Sequence, residues 1–181
     1  MALRHLVDSP EPDSVPIRTL RKGDFSAWLA AADSPVKRWV ESTRFEVEAG
    51  KHRLVPSPDG GLAELLLGLG DEPSPWDWAG LAHDLPPRGF HLRAALSKKD
   101  AEAAALGFAL GTYRFERLRK SSEKEKELAR LAWPEGSDRK RVTSAAEATM
   151  LVRDLINTPA SDLGPAELAS AAEDVAKKYQ G

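Results

Sequence analysis

Few residues in this sequence are typed and spaced for chemistry. Gly68-Leu69-Gly70 follows an apolar run, as a phosphate-cradling loop would, but Asp71-Glu72 come next and would repel a phosphate. No third glycine opens a helix there. His83-Asp84 has the order of an oriented general base, yet no serine or metal ligand stands at a matching spacing, so helix-end polarity explains it. The other histidines, His5, His52 and His91, are scattered. There is no Walker A loop, no His-Glu-x-x-His and no Gly-x-Ser-x-Gly. The absence of cysteine excludes thiol catalysis, disulfides, zinc ribbons and iron–sulfur sites. Trp76 and Trp78 would make an aromatic platform only if they shared a face. Two apart on a helix they diverge, which predicts one in the core and one at the surface.

The basic residues concentrate mid-chain, at Arg114, Arg117, Arg119 and Lys120 and then at Arg139-Lys140-Arg141. Glu116, Glu123, Glu125 and Glu127 are interleaved with them. That mixture describes a solvated face and argues against nucleic acid as a partner. Over 181 residues the formal charge is -2, with 41% hydrophobic and 30% charged residues, which fits one globular domain and excludes a disordered chain. No apolar run approaches the ~18 residues of a membrane span. The N-terminus has no apolar segment of the secretory kind, so the expected compartment is the cytoplasm.

Residues 1–14 are polar and proline-punctuated, and read as a mobile arm. Val15–Leu20 alternates as a strand. Asp24–Val40 reads as a helix capped by Asp24 and split at Ser34-Pro35. Arg44–Glu48 alternates and is expected to be a strand, followed by Arg53–Val55, a Ser57–Gly61 turn and Leu62–Leu69. The apolar run in Leu62–Leu69 predicts a strand covered on both faces. Ser74 and Pro75 open a short helix, and Phe90–Leu96 is expected to be a strand. Ser97 caps a long helix whose stripe is Ala101, Ala105, Phe108, Thr112 and Phe115; Gly107 and Gly111 on it would admit a close neighbour. Ser121–Lys126 reads as an exposed connection and Leu128–Trp133 as a strand. Val142–Ile156 is helical, with Val142, Ala145, Ala146, Thr149, Val152 and Ile156 in register, and Asn157-Thr158-Pro159 ends it. A last helix starts at Gly164-Pro165 with Glu167 near its positive end, carries Leu168, Ala172, Val175 and Tyr179, and has Gly181 as its stop.

Interleaved strands and helices around one hairpin predict an α/β fold, a three-layer α/β/α sandwich with a mixed sheet. Two endings fit the pattern: a terminal helix docked on the sheet, or an element boundary with a further strand to follow.

Leu151-Val152-Arg153-Asp154-Leu155-Ile156-Asn157-Thr158-Pro159-Ala160-Ser161-Asp162-Leu163-Gly164-Pro165-Ala166-Glu167-Leu168 resembles the linker of the leucyl (cytosol) aminopeptidases, peptidase family M17. Gly107-Phe108-Ala109-Leu110-Gly111-Thr112-Tyr113-Arg114-Phe115 is similar to that family's glycine-aromatic-Leu-Gly-x-Tyr-x-Phe segment. One departure is Ser161, where many relatives carry asparagine. The resemblance implies a macro-domain-like N-terminal domain over residues 15–137 and linker helices over 138–181 that lead to a catalytic domain. For the complete protein it implies metal-dependent release of N-terminal amino acids from peptides, with two divalent ions, manganese or zinc. It also implies a homo-hexamer. It assigns no catalytic, metal-binding or cofactor-binding residue to this chain, because the family's ligand motifs have no match here. This chain by itself is therefore expected to be inactive. The alternatives are a free-standing macro-like module binding a nucleotide or ADP-ribose, and a nucleic-acid-binding accessory domain.

Overall fold

The computed structural model describes residues 3–117 and 127–179. In chain order the strands are β1 (Leu6–Val7), β2 (Val15–Leu20), β3 (His52–Pro56), β4 (Leu62–Gly68), β5 (Gly89–Leu92) and β6 (Arg130–Ala132). The helices are α1 (Lys22–Ala31), α2 (Ser34–Ser42), α3 (Trp76–Ala79), α4 (Leu81–Asp84), α5 (Lys98–Gly111), α6 (Arg139–Asn157) and α7 (Pro165–Tyr179). The six strands form one sheet in the order β1-β6-β5-β2-β4-β3. Every neighbouring pair is parallel except the β3–β4 hairpin. The mixed three-layer α/β sandwich expected from the pattern is the fold observed.

Side-chain alternation along β2 and β4 feeds two cores. Ile17, Leu65 and Leu67 point into the larger one, with Phe90, Leu131, Trp78, Leu81, Ala105, Phe108, Val142 and Ala146. Leu20 and Leu66 point into the smaller one, with Val40, Phe45, Val47 and Val55, and Phe25, Trp28, Leu29 and Val36 pack against it. Thus α1 and α2 cover one face, and α3 to α6 the other. Pro35 does divide the first helical region, and sits in the first turn of α2. Asp24 does not cap α1: the helix begins at Lys22 after an extended Arg21, so Asp24 lies in its first turn. Ser97 caps α5 by accepting from the Asp100 amide at 3.2 Å.

The glycine pair of α5 is a contact surface. A Cβ on Gly107 would overlap the Pro75 carbonyl, and one on Gly111 would overlap that of Ala79. Helix α3 therefore rests its backbone directly on α5.

Several expectations change. Arg44–Glu48 is not a strand. Phe45 and Val47 are buried while Glu46 and Glu48 are exposed, as alternation requires, but the segment makes no ladder. Arg44 turns the chain there in the left-handed region, at φ 49°, and the segment lies over the smaller core instead. The Phe90–Leu96 strand stops at Leu92, and the Leu128–Trp133 strand narrows to β6. Helix α5 ends at Gly111, so Thr112 and Phe115 leave its stripe. On α6 the buried side chains are Val142, Ala146 and Met150, whereas Val152 and Ile156 are 52% and 76% exposed. The larger core underlies only the first half of that helix. Helix α7 buries no residue; Lys178 and Tyr179 reach Glu147 of α6 at 2.7 and 3.3 Å. The expected connection Ser121–Lys126, with Arg119, Lys120 and Gly181, lies outside the described residues.

The arm expected over residues 1–14 is, from Leu3 on, part of the fold. Leu6 is buried and β1 pairs with β6. The following segment is a strap over the sheet, held by Glu11 on Arg130 at 2.8 and 2.9 Å, Asp8 on Arg139 at 2.6 Å and Ser14 on His91 at 2.9 Å. The Arg130 guanidinium holds the Glu11 carboxyl below its ordinary range.

Because α3 must move to admit a methyl group, Gly107→Ala is expected to destabilise the domain by about 1–3 kcal/mol in urea unfolding. An unchanged midpoint would show that α3 is free to shift.

Candidate functional site

The sheet has a switch point between β2 and β5, where the chain leaves in opposite directions and ligands of open α/β sheets bind. Here the crevice is filled from within. Arg21 donates to the Gly70 carbonyl and, at 2.8 Å, to Asp100 at the start of α5. The amides of Gly68, Leu69 and Gly70 are taken by Lys51 O at 2.8 Å, Leu20 O at 2.9 Å and the Asp77 carboxylate at 2.9 Å. The Gly68–Gly70 loop has no amide left to bind a phosphate, and an aspartate already occupies the positive end of α5.

The other candidates disperse. Trp78 is 1% exposed and Trp76 66%, the divergence their spacing requires. His91 is held by Ser14, and the Nδ1 of His52 lies 3.4 Å from the Gly50 carbonyl. Burial pushes the His5 imidazole below its ordinary pKa, with Arg4, Arg130 and His83 adding repulsion. Among the described residues, no group of three or more His, Asp or Glu side chains is arranged to hold a metal ion. The residues present therefore do not fit the metal pair expected of the family, and no catalytic step is derived through it. Of the mid-chain basic residues, Arg139 pairs with Asp8 and lies over the Trp133 ring at 5.1 Å, Arg141 faces Glu102 at 3.8 Å, and Arg114 faces Glu116 at 3.7 Å.

What the fold does bring together are the two segments that carried the family resemblance. Tyr113 stands just past the end of α5. Its hydroxyl donates to Asp154 Oδ1 at 2.8 Å and accepts from the Asn157 side-chain amide at 3.1 Å. Arg153 lies over the Tyr113 ring at 5.3 Å and donates at 3.0 Å to the Leu110 carbonyl, which also accepts the Tyr113 amide at 3.4 Å. Thr158 closes α6 by returning its amide and hydroxyl to the Asp154 carbonyl at 3.0 and 2.7 Å, just before Pro159. The cluster contains a donor–acceptor phenol, a carboxylate and an amide joined by two hydrogen bonds, with a guanidinium over the phenol ring. These bonds tie the end of α5 to the second half of α6. The sequence contained both halves, and Arg153, Asp154 and Asn157 share one helix face. Their meeting with Tyr113, 41 and 44 residues away, had no local signal.

Burial, then the carboxylate of Asp154, push the Tyr113 phenol above its ordinary pKa, while Asn157 opposes them. A raised folded-state pKa means that the clamp's contribution is fully present below the unfolded value and is lost as pH rises through the folded one. Tyr113 is expected to form phenolate above the ordinary value of about 10 in an ultraviolet titration, and Tyr113→Phe should remove that step. An unchanged titration above that value in Tyr113→Phe would contradict the assignment.

Residues 15–134 match the family model of the M17 aminopeptidase N-terminal domain. The chain is 32% identical to a probable cytosol aminopeptidase of Mycobacterium sp. (strain JLS), over 88% of this chain and 35% of that protein. The solved structure of a cytosol aminopeptidase from Coxiella burnetii matches with a TM-score of 0.81 and 36% identity, over 97% of this chain and 38% of that one. The bottromycin maturation enzyme BotP matches with a TM-score of 0.62 and 26% identity, over 92% and 38%. The chain thus spans about 35% of the length of the curated relatives it matches over most of its residues. It belongs to the M17 aminopeptidase family and carries that family's N-terminal domain.

Proposed function

We propose that this chain is the non-catalytic N-terminal part of a metal-dependent leucyl aminopeptidase that releases N-terminal amino acids from peptides. The observation that carries the reading is the match of residues 15–134 to the N-terminal domain of this family. In two-metal hydrolysis a pair of divalent ions polarises the scissile carbonyl and activates water. One solved neighbour is BotP in complex with Mn; manganese or zinc is the corresponding proposal here. The ligands and catalytic groups belong, in this reading, to the catalytic domain, and no residue of this chain is among them.

The division proposed is a domain over residues 15–137 and linker helices over 138–181, which agrees with the start of α6 at Arg139. The working enzyme is proposed to be a homo-hexamer of the cytosol. Its relatives are named cytosol aminopeptidases, and no helix among the described residues is long and apolar enough to cross a membrane. The filled switch point speaks against nucleotide or ADP-ribose binding, and the paired basic residues against nucleic acid.

The purified chain of residues 1–181 is expected to show no turnover of leucine anilide or amide with manganese or zinc added. Metal-dependent turnover that follows the chain through purification would overturn the proposal.

A further inference from the structure

Helix α6 is held in two different ways along its length. Its first half is anchored by packing, through Val142 and Ala146 in the larger core and then Met150. Beyond Met150, Leu151, Val152 and Ile156 are 36%, 52% and 76% exposed and Leu155 is half-buried. The ties there to the rest of the domain are polar: Arg153 on the Leu110 carbonyl and the Tyr113 ring, Asp154 and Asn157 on the Tyr113 hydroxyl. Where the apolar core ends, the directional hydrogen bonds are what fix the helix against rotation and sliding. The base of these bonds is itself rigid, because α5 is seated backbone to backbone on α3 through Gly107 and Gly111.

We infer that the Tyr113 hydroxyl locks a joint that fixes the direction in which α6 leaves the domain. On the reading proposed above, α6 is the first of the two linker helices and α7 folds back on it through Lys178 and Tyr179 at Glu147, so the lock orients that helix pair relative to the domain. The joint itself is a property of residues 110–158 and is tested on this chain, independently of any catalytic assay.

The chain has no cysteine, so spin labels can be placed cleanly. One pair, Lys99→Cys with Ile156→Cys, spans from α5 to the locked end of α6; a second, Lys99→Cys with Lys140→Cys, spans to its packed end. All three sites are exposed. The parent should give a single narrow electron–electron distance distribution for each pair. Tyr113→Phe keeps the ring under Arg153 and removes the hydroxyl; Asp154→Ala removes the acceptor. Both are expected to abolish the narrow peak of the Lys99–Ile156 pair and leave the Lys99–Lys140 peak intact, while Asp154→Asn, which retains an acceptor, keeps both narrow. Amide exchange over residues 151–157 should rise roughly three- to tenfold in Tyr113→Phe, the range of one or two hydrogen bonds. A Lys99–Ile156 peak as narrow in Tyr113→Phe and Asp154→Ala as in the parent would overturn the inference. So would broadening of both pairs, since Tyr113 would then hold the domain and not its joint.

Discussion

Leu65, Leu66 and Leu67 have no exposed surface, although successive residues of a strand face opposite ways. A strand dry on both faces needs cover on both, and that requirement organises the domain. Fully burying each leucine is worth about 1.5–3 kcal/mol, so neither layer is dispensable. Leu66 requires α1, α2 and the Phe45–Val47 segment; Leu65 and Leu67 require the layer of α3 to α6. The one carboxylate near the start of this strand, Glu64, is 7% exposed and sits between Arg18 at 3.0 Å and Arg93 at 3.1 Å. A buried charge so paired tolerates no loss of its partners.

The larger layer transmits order outward. Gly107 and Gly111 bring α5 against α3, the end of α5 presents the Leu110 carbonyl and the Tyr113 phenol, and these receive Arg153, Asp154 and Asn157 of α6. Dense apolar packing at the sheet thus becomes a directional polar contact at the margin. Both motifs that resemble the family lie on this path, which gives a physical reason for their residue types: glycine for approach, tyrosine for a two-way hydrogen bond, and aspartate and asparagine one helical turn apart to meet it.

What could be read in the sequence was local. The Ser97 cap, the Pro35 break, the Ser57–Gly61 turn and the divergence of Trp76 and Trp78 each depend on residues within a few positions. The glycine pair announced a close neighbour without naming α3. What could not be read depended on distant partners. The two-residue strand β1 carries no periodicity, and its strap is held by Arg130, 119 residues away from Glu11. Phe45 and Val47 alternate like a strand, yet a left-handed turn at Arg44 leads them over a core and not into a ladder. On α6 the helical period was correct, but the end of the core beneath it left Val152 and Ile156 uncovered.

The crevice where an open α/β sheet would bind a ligand is crossed by hydrogen bonds of Arg21, Asp77 and Asp100, and the polar cluster that remains ties the end of α5 to α6. On the reading proposed above, the domain serves the aminopeptidase by what it holds in place. Calorimetric titration of manganese into the purified chain tests this most directly. The account predicts heats no greater than dilution. A saturable site of micromolar affinity would place a catalytic metal ligand within these residues and contradict it.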